Sequence, residues 1–221
     1  MSSFLLAPTE TGGLARLAKS SPGATWVASG TELLSFDLGE VSLLAMDGVK
    51  RGGFVRENEL ADVALVGKSL LAVERVPVPE PARWFGLRLY DFVGAPLPQS
   101  KASRAFMVKA SEIYATPSPD GTRLALTVVR RDGGMGPERS RLEIVAMDTA
   151  KVSDLSRAFP NHYYAAWNPL WSPDGKLVAY TVSYLGVPRG TAHRERAMLS
   201  DGARAATLAE GEIVEWSPHS L

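Results

Sequence analysis

The chain has 221 residues, 45% of them hydrophobic, with 24 Lys plus Arg against 24 Asp plus Glu. Zero formal net charge leaves no global basic field to draw in nucleic acid or an acidic membrane surface, and the absence of cysteine excludes a disulfide frame and thiol chemistry. No apolar run approaches the ~20 residues a membrane-spanning helix needs, so membrane insertion is not expected.

Residues 1–18 read as two strands, Phe4 to Ala7 and Leu14 to Leu17, joined by a Gly-Gly turn. The start, Met1-Ser2-Ser3-Phe4, has no basic segment and too short an apolar run for a secretory signal, so the chain as numbered is expected in the cytoplasm. Trp26 to Leu34 then forms a strand, a Gly30 turn and a second strand. Leu43-Leu44-Ala45-Met46-Asp47 is a strand ending in Met-Asp. Val63 to Val73 repeats the hairpin pattern around Gly67, and Leu89-Tyr90-Asp91 is a looser strand end.

The pattern sharpens downstream. Pro117-Ser118-Pro119-Asp120-Gly121-Thr122-Arg123-Leu124 and Trp171-Ser172-Pro173-Asp174-Gly175-Lys176-Leu177 each end one strand, turn tightly and start another. Pro presets one backbone angle, Asp hydrogen-bonds back to the main chain, and Gly supplies the positive φ. Ile144-Val145-Ala146-Met147-Asp148 and Met198-Leu199-Ser200-Asp201-Gly202 repeat the other strand end, and Trp216-Ser217-Pro218 begins the motif again. Asp120 and Asp174 stand 54 positions apart, and Trp171 and Trp216 stand 45 apart. A recurrence of ~40–50 residues marks four-stranded propeller blades. No helix is expected; Leu14 to Lys19 and Ala102 to Ser111 tolerate at most a short turn of one.

The Trp-Ser-Pro-Asp-Gly-Lys run at 171–176 resembles the repeat of TolB-like β-propellers, and the copies at 117–127, 26–36 and 63–73 match it with decreasing closeness. The resemblance implies an all-β fold, a single domain over 1–221 built as a β-propeller of four-stranded blades. The blades fall at about 19–57, 58–101, 102–156 and 157–209. Residues 1–18 and 210–221 are expected to share one composite partial blade, because a propeller leaves no long free edge when its chain ends share a blade. TolB-like rings usually have six blades, so this is either a five-bladed ring or part of a larger one. An open ring would expose the edge at Glu212–Trp216 and invite a homodimer. Family members such as TolB are periplasmic, which implies that compartment if a leader is missing.

Antiparallel strand order puts the Pro-Asp-Gly turns at one end and the long loops at the other. Those loops run from Arg75 to Trp84, from Arg130 to Arg139 and from Tyr184 to Arg196, with Asn161-His162-Tyr163-Tyr164 beside them. Long loops on a rigid scaffold are where binding concentrates. The resemblance therefore implies a non-catalytic scaffold that binds a protein or peptide through this loop face and the central channel. Aromatic and Arg side chains dominate binding hot spots, which selects Trp84, Arg130, Arg131, His162, Tyr163, Tyr164, Tyr184, Arg189 and Arg194. The alternative is a gating propeller from a prolyl-oligopeptidase-like serine peptidase whose catalytic domain lies outside this chain. A lyase or hydrolase in the channel is a third class, but it would need inward-facing His and acid clusters that the sequence does not display.

Other chemistry has plainer explanations. Gly67-Lys68-Ser69 resembles the end of a phosphate-binding loop, but Asp62 stands where that loop needs glycine, and the segment falls in a hairpin. His162, His193 and His219 lack the local spacing of metal ligands, so no metal and no cofactor is expected. No Gly-x-Ser-x-Gly elbow is present. Asp120 and Asp174 are explained by their turns, and Trp26, Trp171 and Trp216 by packing between repeats.

Overall fold

The computed structural model describes the backbone of residues 4–8, 14–19, 23–26, 32–37, 40–45, 49–56, 59–66, 69–79, 83–131, 138–155, 164–184 and 195–211. Side chains are described from 34 onward within those ranges, except at 36, 37, 131, 138, 164 and 184. The described chain is nearly all β. Strands β1 (Phe4–Pro8) and β2 (Leu14–Lys19) pair as a two-stranded sheet. The first four-stranded meander is β3 (Gly23–Trp26), β4 (Glu32–Asp37), β5 (Glu40–Ala45) and β6 (Lys50–Val55). The second is β7 (Leu60–Val66), β8 (Ser69–Val76), β9 (Trp84–Tyr90) and β10 (Met107–Lys109). Before β10 comes a short helix, α1 (Lys101–Ala105), whose N-terminus is capped by the Ser100 hydroxyl accepting from Ser103 N–H at 3.0 Å.

The third meander is β11 (Glu112–Pro117), β12 (Arg123–Arg131), β13 (Glu138–Ala146) and β14 (Val152–Asp154). The fourth is β15 (Tyr164–Trp171), β16 (Val178–Tyr184), β17 (Glu195–Ser200) and β18 (Ala205–Glu210). A single parallel bridge, Ser140 to Ala165, joins these two sheets at their loop ends. The second sheet runs on to Lys109, past residue 101, because β10 pairs with the start of β9. The Glu212–Trp216 segment lies outside the described residues. The short helix at α1 falls in the stretch that tolerates a turn, whereas Leu14 to Lys19 is strand.

Successive sheets pack face to face, each contact with its own apolar core. Leu34, Val41, Val63, Leu70, Ala72 and Tyr90 fill the space between the first and second sheets. Leu71, Val73, Leu87, Ile113, Leu126 and Val128 fill that between the second and third. Ala125, Leu142, Ile144, Trp171, Tyr180 and Val182 fill that between the third and fourth. Alternation along β12 shows how: Leu124, Leu126 and Val128 point one way and Ala125 the other, and all are buried.

Polar links reinforce these contacts. The Trp171 indole N–H donates to the Thr116 carbonyl at 2.8 Å, and the Arg123 guanidinium lies 4.8 Å from the Trp171 ring centre. Trp171 therefore packs between repeats. Arg123 also donates to the Gly175 carbonyl, fastening one Pro-Asp-Gly turn to the next. Both turns have the same chemistry. Gly121 and Gly175 sit at φ 69° and 68°. Asp120 and Asp174 each accept from the backbone N–H two residues on, at 3.0 Å. Ser118 and Ser172 donate to those carboxylates at 2.6 and 2.7 Å, and they accept from the N–H of Arg123 and Leu177.

Trp171→Phe keeps an aromatic ring, though a smaller one, and removes the donor. It should lower unfolding free energy by about 1–2 kcal/mol, because the part-buried Thr116 carbonyl loses this donor. Urea denaturation of both proteins checks this, and equal midpoints and slopes would contradict it.

Candidate functional site

The strands place the two described hot-spot candidates in one cleft. Trp84 opens β9, where it pairs with Val76 on β8 and Lys109 on β10. It is thus a half-buried strand residue and not part of the proline-rich loop. Arg130 lies near the end of β12, exposed, facing the second sheet. Together with Phe106, Met107, Lys109, Arg141 and Glu143 they line a cleft of about 430 Å³ between the second and third sheets. That volume suits a side chain or a short peptide segment. Trp84 and Arg130 stand at the loop end of the strands, where β9 begins and β12 ends, and the lining runs on to Ala150 and Val152.

The floor is apolar and the walls are charged. Buried Phe106 and Val108 give the cleft its apolar part, and Arg130, Arg141 and Glu143 give its charged part. Arg141 pairs with Glu143, Nη2 to Oε1, at 2.7 Å. Glu143 is buried, and the Nε of Arg141 is also buried with no hydrogen-bond partner. An unmet donor of this kind costs about 1–3 kcal/mol.

The other expected contacts are distributed differently. Arg131 is the last residue of β12, and its side chain is not described. Tyr164 begins β15 and Tyr184 ends β16, and the register sets them directly opposite each other at the loop end of the fourth sheet. His162, Tyr163, Arg189 and Arg194 lie outside the described residues. The loop read from Arg130 to Arg139 is shorter than expected, because β12 continues to Arg131 and β13 starts at Glu138. Lys109, Arg141 and Met107 were not singled out from sequence. Their signal is alternation: Arg139, Arg141 and Glu143 occupy every second position of a strand and so share a face.

A second hollow, of about 580 Å³, lies between the third and fourth sheets and is lined by Tyr114, Thr116, Thr127, Val129, Ser140, Trp167, Asn168 and Pro169, none of them charged. Asn168 has φ 52° at an irregularity of the β15–β16 register between Trp167 and Leu170. Among the described residues no cluster of three or more His, Asp or Glu could hold a metal. Gly67-Lys68 joins antiparallel β7 and β8, whose Val66 and Ser69 pair across the connection. No described helix is long and apolar enough to cross a membrane.

The most perturbed described carboxyl is Asp62 on β7. It accepts from Val63 N–H at 2.9 Å and from Ala115 N–H of β11 at 2.6 Å, bridging two neighbouring sheets. Burial pushes its pKa up to about 6, and the two backbone bonds offset part of that. A strongly shifted carboxyl invites a catalytic reading, but two backbone amides satisfy this one and it lies outside the cleft, so it is a clamp between sheets. The Asp120 and Asp174 carboxyls are held below the usual range, Asp120 chiefly by the Ser118 hydroxyl and Asp174 chiefly by the Lys176 N–H.

No protein-family model and no curated protein matches the chain. Solved structures do. An acylaminoacyl peptidase from Pyrococcus horikoshii is 14% identical over 91% of this chain and 34% of its own, with a TM-score of 0.54. A chain of the mitotic checkpoint complex is 10% identical over 93% of this chain and 72% of its own, with a TM-score of 0.50. Dipeptidyl peptidase 4 from Porphyromonas gingivalis is 12% identical over 85% of this chain and 32% of its own, with a TM-score of 0.48. The structural neighbours are β-propeller-like proteins. This chain spans about a third of the length of the two peptidases. The likeness concerns the fold and carries nothing specific to TolB-like proteins.

The raised carboxyl has a defined consequence. Folded Asp62 holds its proton more tightly than the unfolded chain, whose value is 3.8. Between about pH 6 and pH 4 the folded state therefore binds more proton, and stability rises as pH falls, by about 2–3 kcal/mol at most. The gain over Asp62→Asn, measured by urea denaturation from pH 7 to pH 4.5, should grow as pH falls. Parallel pH profiles for the two proteins would contradict this origin.

Proposed function

We propose that this chain is a non-catalytic scaffold that captures a protein or peptide segment at its loop end, through the cleft holding Trp84 and Arg130. The single observation that supports this reading is the convergence of Trp84 and Arg130 on one cleft whose lining combines the buried apolar Phe106 and Val108 with charged side chains. A rigid aromatic ring beside Arg, set in a concave site, is the composition that binding hot spots favour. The four meanders, each packed against the next, are read here as blades of a TolB-like propeller, with the loop end carrying recognition. Tyr164 and Tyr184, paired at the end of the fourth sheet, are further candidates for the contact.

A second reading is a gating propeller of a prolyl-oligopeptidase-like serine peptidase. Support comes from the likeness to an acylaminoacyl peptidase over 91% of this chain. Fold analogy is all that underlies it, since fold by itself does not fix function. A serine hydrolase domain that co-purifies stoichiometrically with this chain, encoded beside it, would favour this reading over a free-standing scaffold.

Selection of a random peptide library on the immobilised chain, followed by fluorescence anisotropy, tests the scaffold reading. The enriched peptides should bind Trp84→Ala at least ~10-fold more weakly than the wild type, since hot-spot aromatics carry much of the binding energy. Failure to enrich any peptide, or equal binding to Trp84→Ala, would remove the support for the cleft.

A further inference from the structure

The hollow between the third and fourth sheets holds chemistry that peptide capture at Trp84 does not use. The strand register builds one wall of it. Tyr114 stands opposite Thr127, Thr116 opposite Ala125, Thr127 opposite Leu142 and Val129 opposite Ser140. Opposed residues share a face, and Ala125 and Leu142 belong to the core against the fourth sheet. Tyr114, Thr116, Thr127, Val129 and Ser140 therefore all face the fourth sheet. Asn168 and Pro169 line the hollow from β15, at the irregular point of its register. Trp167 pairs with Thr181, whereas the neighbouring Tyr180 and Val182 face the third sheet. The Trp167 ring is thus set on the other face and takes no part.

Four of these five wall residues carry a hydroxyl, and no residue of the lining is charged. Their hydrogen bonds differ. Ser140 donates to the Ala166 carbonyl and Tyr114 to the Glu112 carboxylate, each at 2.9 Å, so both oxygens keep lone pairs with which to accept. Thr127 is only 5% exposed, and its hydroxyl has no hydrogen-bond partner among the described residues. On the facing sheet Tyr180 is fully buried, lies across the register from Asn168 and Pro169, and also has an unpartnered hydroxyl. A buried hydroxyl left unmet costs about 1–3 kcal/mol, and native structures hold few of them. Thr127 is a group of this kind aimed into a hollow, able both to donate and to accept.

We infer that this hollow is a second binding site, for a neutral polyhydroxylated molecule of monosaccharide size, whose hydroxyls bond Thr127 and Ser140 and whose C–H face lies on the Tyr114 ring. An ionic ligand would be desolvated there with no opposite charge in the lining, and the Glu112 carboxylate that holds the Tyr114 hydroxyl repels an anion. A wholly apolar ligand would leave Thr127 unmet. A hydroxyl both donates and accepts, so a ring of them can donate to the Ser140 and Tyr114 oxygens and accept from Thr127. Tyr114 is 49% exposed, and the electron-rich face of its ring receives C–H groups. The volume of about 580 Å³ lies within the roughly 300–1,000 Å³ of small-molecule sites.

Titration calorimetry with glucose, galactose and mannose, with their uronates, and with the blocked residue N-acetylalanine methylamide tests this. At least one neutral sugar should bind, and its uronate should bind at least ~10-fold more weakly, since its charge would be buried unpaired. Thr127→Val keeps the shape and removes the hydroxyl; it should weaken the sugar at least ~10-fold. Without sugar, its urea midpoint should equal or exceed that of the wild type, because an unmet hydroxyl is lost. Tyr114→Ala, at a half-exposed position, should weaken the sugar as well. Absence of binding by all three sugars, or binding that neither variant changes, would overturn the site. A lower midpoint for Thr127→Val would show its hydroxyl already satisfied and overturn it too. A uronate or the blocked residue bound as tightly as the sugar would overturn the ligand class. None of these results bears on peptide capture, which depends on Trp84 on the other side of the third sheet.

Discussion

Each internal sheet of this protein is apolar on both faces, and everything else follows from that. The third sheet buries Leu124, Leu126 and Val128 on one side and Ala125, Leu142 and Ile144 on the other. At roughly 25 cal/mol per Å² of apolar surface, neither face tolerates water. No such sheet stands alone, so its neighbours are part of its stability. Sequential meanders supply those neighbours with the shortest connections. The described strand ends on the loop side lie outside these cores and are available for recognition.

The two ends of the strands differ in how their polar groups are satisfied. At the turn end, Ser118, Asp120, Ser172 and Asp174 form closed hydrogen-bond sets, and Arg123 ties one turn to the next while lying over Trp171. These carboxyls are depressed, as expected of groups that accept several bonds. In the cleft, Arg141 keeps a buried N–H without a partner. Satisfied groups hold a structure together, whereas unmet ones in a concave site call for a ligand.

Much of the fold was legible because turn chemistry is local. Pro-Asp-Gly specifies a tight turn within four residues, and the structure shows the positive φ and the Asp bonds that the motif implies. The serine before each Pro was not credited, although it closes both turns. Strand ends were harder to place. Arg130, Arg131 and Glu138 to Ser140 looked like loop because they are charged, yet cross-strand pairing carries them into β12 and β13. The same misreading hid Arg141 as a wall of the cleft, and Lys109 and Met107 were hidden because β10 is only three residues long. Asp62 was noticed only as a wrong residue in a phosphate-loop pattern. Its bond to Ala115, 53 positions away, is a tertiary fact that no local pattern encodes. Tyr164 and Tyr184 stand far apart in sequence and meet only through the β15–β16 register.

The central claim is that recognition occurs in the cleft between the second and third sheets. A photo-crosslinking residue in place of Met107, which lines that cleft and is 53% exposed, tests it most directly. The control position is Leu208, 54% exposed on β18 of the fourth sheet. With a library-selected peptide bound, irradiation should join the peptide to the protein from position 107 and not from position 208. Crosslinking from 208 alone, or equally from both, would contradict the account.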